Sequence, residues 1–295
     1  MSYIGRFAPS PSGPLHTGSL ITALASWLDA RRHNGRWLLR IEDIDPPREI
    51  DGASEQIIDS LQRHGLTWDG MVAFQSKRSH HYEDALQYLR DKGLLYACSC
   101  TRRQLRRIAD ETTTHAYPGV CRKLQLPEEN SALRFRIGCG LVTFCDEAAG
   151  TMSENVPATV GDFIVRRRGP FYAYQLAVVV DDALQGISHV VRGSDLLDNT
   201  ARQILLQRAL EYPALRYLHL PLVLQTDGRK LSKQTGAAAL DNNNALKNLL
   251  FAWSFLGQQA TEDQPGSITE FLEFAVANWQ RERLPALQKP GSNRL

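Results

Sequence analysis

The chain has 295 residues, 43% of them hydrophobic and 22% charged, the balance of a folded globular protein and not of a disordered or fibrous one. A formal net charge of +2 gives no bulk attraction to nucleic acid or anionic lipid, so phosphate binding has to come from local clusters. No run reaches the ~18 unbroken apolar residues of a membrane span, and no basic-then-apolar leader opens the chain. With five cysteines and no export signal, thiols or metal ligands are expected in place of disulfides, and a cytoplasmic location with them.

Residues 3–8 read as a strand ended by Pro9, and the turn formers of 10–14 cannot continue a ladder. Leu20, Ala23, Leu24, Trp27 and Leu28 recur at helical spacing over 18–33. Gly35 is the C-cap signal for that helix, and the apolar run 37–41 suits a buried strand. Strand, helix and strand in about forty residues form a βαβ unit and hence a parallel sheet. Amphipathic helices are expected over 54–64, with Ile57, Ile58 and Leu61 inward, and over 82–92, with Leu86 and Leu89 inward.

Residues 98–150 hold all five cysteines, with weak periodicity and many turn formers. They read as an insertion outside the sheet, with Cys139 and Cys145 as small apolar fillers of strands. Patterned α/β sequence returns at 172–180 and 187–191, then a helix over 199–210 and an apolar strand at 218–224. Residues 241–295 read as mainly helical, with Leu246, Leu249, Leu250, Trp253 and Phe255 in one helix and fraying from 289 onward.

Two segments carry the chemistry. The first, 9–19, runs through a Pro/Ser/Gly turn into His16-Thr-Gly18-Ser19 at the start of the first helix. Unpaired N–H groups and partial positive charge at a helix N-terminus attract phosphate. Gly18 would allow close approach, and His16 could donate to a phosphate oxygen. The second, 226–234, places Lys230 and Lys233 around a serine in a Gly-containing loop, a suitable clamp for a polyphosphate. Each segment alone is also what an ordinary turn or an exposed basic loop looks like.

Together, His16-Thr-Gly-Ser and Lys230-Leu-Ser-Lys-Gln resemble the two signatures of class I aminoacyl-tRNA synthetases, written HIGH and KMSKS, in the expected order. Arg6-Phe-Ala-Pro-Ser-Pro-Ser-Gly, Leu39-Arg-Ile-Glu-Asp-Ile-Asp and Val191-Arg-Gly-Ser-Asp-Leu-Leu-Asp-Asn-Thr narrow the resemblance to the glutamyl and glutaminyl enzymes. It covers roughly residues 3–236. Ser19 stands where the signature ends in His, and Leu231 and Gln234 depart from the second signature; His16, Gly18 and Lys233 are kept.

The resemblance implies a Rossmann-like parallel sheet with a zinc-bearing α/β insertion and a small helical C-terminal region. Residues 1–80 and 172–236 would form the catalytic domain, 81–171 the inserted acceptor and zinc-binding domain, and 237–295 the C-terminal domain. It also implies glutamate activation by ATP and Mg²⁺. His16, Gly18, Lys230 and Lys233 would be catalytic, with Ser12, His16, Gly18, Asp195 and Lys233 on ATP. Arg6, Ala8, Ser10, Glu42, Tyr174 and Arg192 would line the glutamate site. Chemically, Glu42 suits the ammonium, while Arg6 and Arg192 suit the two carboxylates.

Cys98-x-Cys100 and Cys121 resemble a zinc-binding insertion, three thiolates suiting a tetrahedral Zn²⁺. Chemistry alone leaves the fourth ligand open, since no fourth cysteine is well placed, with His115 the better ligand on general grounds. The resemblance favours Tyr117, because Tyr117-Pro-Gly-Val-Cys121 matches a segment of the relatives in which tyrosine fills that place.

About sixty residues follow Gln234, too few for helical anticodon-reading domains. The shortened end resembles a stand-alone branch of the family that activates L-glutamate without tRNA and esterifies it to queuosine in the anticodon of tRNA(Asp). Arg102, Arg103, Arg106, Arg107 and 166–168 are candidate phosphate contacts. The alternatives are a shortened conventional enzyme charging tRNA(Glu), a non-catalytic RNA-binding paralogue, and an adenylyltransferase acting on another acid. No membrane and no obligate protein partner are expected.

Overall fold

The computed structural model describes residues 2–112, 116–138, 140–223, 239–260 and 265–287. In chain order the elements are β1 (Ile4–Phe7), α1 (Thr17–Arg32), β2 (Arg36–Ile41), α2 (Ala53–Arg63), β3 (Ala73–Phe74), α3 (Ser79–Asp91), β4 (Leu95–Cys98) and α4 (Arg102–Thr112). There follow β5 (Ala132–Phe135), β6 (Leu141–Asp146), β7 (Gly150–Asn155), the short α5 (Val156–Thr159), β8 (Phe163–Arg166) and α6 (Tyr174–Leu184). The last are β9 (His189–Gly193), α7 (Leu197–Ala209), β10 (Arg216–Leu220), α8 (Ala245–Phe255) and α9 (Ile268–Asn278).

The βαβ unit is present: β1 and β2 pair in parallel from Ile4↔Arg36 to Phe7↔Leu39, and β3 extends the sheet beside β2. A second sheet has the order β7-β6-β10-β9, with β10 and β9 parallel from Arg216↔His189 to Leu220↔Gly193. β1 lies beside β9, where the Ser188 N–H donates to the Ile4 carbonyl at 2.9 Å. From this seam the strand order runs outward in both directions, through β2 and β3 on one side and β10, β6 and β7 on the other. A crevice at such a point is where open α/β sheets bind ligands. The third sheet, β4-β5-β8, is antiparallel.

Helix α1 begins after a His16 N-cap, whose Nδ1 accepts from the Gly18 N–H at 3.1 Å. Its C-terminus corrects the sequence reading. The left-handed residue is Asn34 (φ 52°), and Gly35 serves close packing, since a Cβ there would sit 2.6 Å from the Tyr3 carbonyl oxygen. Nearly the whole middle of α1 is buried, Asp29 included, because α8 and α9 cover the side facing away from the sheet. Leu249, Trp253, Leu256, Phe271 and Trp279 join Leu20, Leu24, Leu28 and Trp37 in one core. A second core gathers Tyr82, Leu86 and Leu89 of α3, Leu133 and Val165 of the antiparallel sheet, and Leu176 and Val180 of α6.

Residues 98–150, read as lying outside the main sheet, supply β6 to it, with β7 following as its hairpin partner; β6 meets β10 in parallel at Tyr217↔Asp146. β6 (Leu-Val-Thr-Phe-Cys-Asp) has the composition of a strand, but only Val142 and Asp146 are buried while Leu141, Thr143 and Cys145 are exposed, so one of its faces lies open to solvent. Cys145 is therefore no core filler, and Cys139 lies outside the described residues. Among the described residues no helix is long and apolar enough to cross a membrane.

Candidate active site

The crevice between β1 and β9 is a cavity of about 690 Å³. Arg6, Ala8, Ser10, Ser12, His16, Gly18, Glu42, Tyr174, Arg192 and Asp195 all line it, with Pro9 and Ser19 beside them. These side chains come from the ends of three parallel strands, the N-terminus of α1, the start of α6 and the turn after β9. Lys230 and Lys233 lie outside the described residues. The described flanks of their segment both reach this place: Val223 lines the cavity, and Ala239 bridges to His16 while the Leu240 N–H donates to the Leu15 carbonyl at 3.0 Å.

Because His16 Nδ1 accepts a hydrogen bond, the proton of its neutral imidazole sits on Nε2. The α1 terminus thus brings a donor ring and helix N–H groups to one wall of the cavity. Across from it lies a buried ionic network. Arg6 donates through Nε and Nη2 to the two carboxylate oxygens of Asp182 at 3.1 and 3.4 Å. Arg40, fully buried, reaches Asp182 at 2.8 Å, Glu42 at 3.2 Å and Gln185 at 2.6 Å. Burial raises the Asp182 carboxyl, but Arg6 and Arg40 outweigh it and hold it below the ordinary carboxylate range. Glu42 is pushed up by burial, with Arg40 and Arg6 pulling the other way. Burial also raises the Tyr174 phenol, which stays neutral.

Arg192 is 4% exposed and differently placed. It donates to His219 Nε2 at 3.0 Å, Gln203 Oε1 at 2.7 Å, Thr200 Oγ1 at 2.8 Å and the Leu196 carbonyl at 3.3 Å. None of these acceptors is a carboxylate. The Arg6 charge is matched within the protein by Asp182, whereas these contacts leave the Arg192 charge for a ligand anion.

The sequence reading missed Asp181 and Asp182, Arg40, Asp146 and His219. Arg40 stands within the family-like segment without an assigned role. The Asp181–Asp182 pair closing an apolar run was the one visible signal, since two adjacent carboxylates inside a buried helix require partners. Asp181 finds them in Gln75, Arg78 and Tyr82.

The cysteines form a separate group. The sulfurs of Cys98, Cys100 and Cys121 lie within 4.8 Å of one another, with Cys100 and Cys121 at 3.4 Å. The Tyr117 hydroxyl is 3.6 Å from Cys98 Sγ and 3.8 Å from Cys100 Sγ. Arg134 Nε donates to Cys98 Sγ at 3.2 Å, and its guanidinium lies 3.6 Å over the Tyr117 ring. Burial raises the Cys121 thiol, yet hydrogen bonds from Tyr117, the Ser99 N–H and the other cysteines bring it down to about 7. His115 lies outside the described residues. Arg102, Arg103, Arg106 and Arg107 are exposed on α4. Arg167 pairs with Asp45 at 2.8 Å, and Arg168 reaches the Ser99 carbonyl at 3.4 Å.

Known proteins match this architecture across nearly its whole length. Residues 4–254 fit the family model of the catalytic domain of class I tRNA synthetases (E and Q). A glutamyl-Q tRNA(Asp) synthetase of Pseudomonas putida (strain W619) is 49% identical over 96% of this chain and 94% of its own. Its counterpart in Burkholderia cenocepacia (strain HI2424) is 50% identical over 95% of this chain and 96% of its own. The crystal structure of a glutamate tRNA ligase from Elizabethkingia meningosepticum, in complex with its amino acid, superposes with a TM-score of 0.82 at 25% identity. That match covers 96% of this chain and 66% of the ligase. With the strand-end cavity, the His16 helix terminus and the buried arginines all in the matched span, the chain belongs to the class I (E and Q) tRNA synthetase family.

Proposed function

We propose that this chain activates L-glutamate with ATP, without needing tRNA, and transfers it from glutamyl-adenylate to queuosine in the anticodon of tRNA(Asp). The observation that carries the first step is the single cavity joining a helix N-terminus suited to phosphate with one buried carboxylate and two buried arginines. The acceptor rests on the relatives, which carry the name glutamyl-Q tRNA(Asp) synthetase over nearly their full length.

In this reading Glu42 takes the substrate ammonium, and Arg6 and Arg192 take the carboxylates, with Ala8, Ser10 and Tyr174 shaping the pocket. Glutamine would leave a guanidinium without its charged partner, a discrimination of about 1.5–3 kcal/mol. Ser12, Gly18 and Asp195 contact the nucleotide. The α-carboxylate attacks the α-phosphorus of ATP and pyrophosphate leaves, so the protein has to align the groups and offset the charge. His16 donates from Nε2, Lys230 and Lys233 neutralise the phosphates, and Mg²⁺ enters with the ATP.

One structural Zn²⁺ fits Cys98, Cys100, Cys121 and Tyr117. With Zn–S bonds of about 2.3 Å and a Zn–O bond of about 2.0 Å, tetrahedral S···S pairs lie about 3.8 Å and S···O pairs about 3.5 Å apart, close to the 3.4 Å between Cys100 and Cys121 and the 3.6 and 3.8 Å from Tyr117 to Cys98 and Cys100. The buried Arg134 offsets part of the ligands' negative charge. The metal would brace the segment carrying α4, whose exposed arginines suit RNA phosphates.

The test is glutamate-dependent ATP–pyrophosphate exchange in the absence of RNA. Exchange supports the reading. Exchange only with tRNA(Glu) would favour a conventional synthetase, and none under any condition a non-catalytic paralogue.

A further inference from the structure

We infer that Asp146 and His219 are positioning residues for Arg192, fixing one imidazole tautomer that in turn aims the guanidinium at the substrate carboxylate. This rests on the proposed glutamate site, and it names residues outside the family-like segments. Arginine only donates, so His219 Nε2, 3.0 Å from Arg192 Nε, must present a lone pair. The imidazole proton therefore sits on Nδ1, which meets Asp146 Oδ2 at 2.6 Å. The His219 side chain is fully buried, so no solvent competes for either nitrogen.

The carboxylate is itself fixed. Asp146 Oδ1 accepts from the backbone N–H groups of Ala148 and Ala149 at 3.0 and 2.8 Å, in the tight turn between β6 and β7. The turn orients the carboxylate, the carboxylate selects the tautomer, and the tautomer holds Arg192. A part of the chain that reads as an insertion thus reaches the wall of the amino-acid site through one imidazole.

Asp146→Asn tests the arrangement with almost no change of shape. The two turn N–H groups keep the amide oxygen at the Oδ1 position, so the amide NH₂ faces His219 Nδ1. The ring must then carry its proton on Nε2, where it meets the Arg192 N–H at 3.0 Å donor against donor, with the more distant Thr200 hydroxyl oxygen at 3.4 Å left to accept it. We expect KM for glutamate in the exchange assay to rise roughly 10- to 100-fold, as for loss of a charged hydrogen bond, with KM for ATP unchanged. Nitrogen-15 NMR of the histidines should show the Nδ1–H tautomer at His219 in the parent and Nε2–H in the variant. His219→Gln, which keeps an acceptor for Arg192, should raise the glutamate KM less than His219→Leu.

An active parent whose folded Asp146→Asn and His219→Leu variants keep the parent KM would overturn the inference and leave the glutamate reading standing. So would an Nε2–H tautomer in the parent. A parent with no glutamate-dependent exchange would sink the reading and this inference with it.

Discussion

Glu42 combines burial with two arginine neighbours, and the balance leaves its carboxyl above the ordinary glutamate range. As partner of the substrate ammonium it has to be ionised. Glutamate capture should therefore be full above its pKa and fade as pH falls, beginning at a less acidic pH than for an unshifted glutamate. Glu42→Gln should raise the glutamate KM by roughly 10- to 100-fold and remove that acidic limb from the pH profile of kcat/KM. An unchanged KM and the same limb would remove Glu42 from the ammonium site. The residues of this cavity were legible in sequence because they lie in short continuous motifs. Their partners were not: Arg6 and Asp182 are 176 residues apart, and Asp146 and His219 are 73 apart. Only the folded chain brings such pairs together.

Among the elements, β2 was legible as a buried apolar run and α2 by its helical period. The β6–β7 hairpin was not, since β7 (Gly-Thr-Met-Ser-Glu-Asn) is polar and largely exposed and the contact of β6 to β10 is short. The cysteine segment depends on another element for its shape. Gly161, at φ +68°, crosses against Tyr117, and a Cβ there would lie 2.2 Å from the Tyr117 carbonyl oxygen. Gly161→Ala adds left-handed strain to a backbone clash, so a loss of at least about 2 kcal/mol is expected. Because Tyr117 and Cys121 would move, the zinc that the proposed Cys98, Cys100, Cys121 and Tyr117 set would hold should fall with it. Parent-level zinc and an unchanged melting temperature would show that this crossing does not shape the metal site.

Across the whole molecule, the C-terminal helices pack into the same core as the first βαβ unit. Beyond them, Arg281 clamps Asp29 of α1 through Nε at 2.6 Å and Nη2 at 2.8 Å, with Tyr3 and Trp279 completing the carboxylate's partners. Arg281 also pairs with Glu147 in the β6–β7 turn. One side chain thus ties together the first helix, the hairpin that orients His219, and the end of the described chain. Removing one member of a fully buried pair costs about 3–5 kcal/mol, but here Asp29 is buried and Arg281 is 17% exposed. Arg281→Leu should lower stability to denaturant by less, about 1–3 kcal/mol, and Asp29→Asn in the same chain should restore part of it. Unchanged stability in Arg281→Leu would mean that the tie contributes nothing. The tie was not legible beforehand, since Asp29 occupies a position that reads as one polar residue in an apolar helix.

In the proposed reaction, glutamate activated in this cavity goes to an anticodon base. The direct measurement is transfer of labelled glutamate to tRNA(Asp) with and without queuosine, with tRNA(Glu) as control and the label's position mapped by nuclease digestion. Label confined to the anticodon fragment of queuosine-containing tRNA(Asp) is the result expected here. Label at the 3′ end of tRNA(Glu), with none on tRNA(Asp), would rule out an anticodon acceptor.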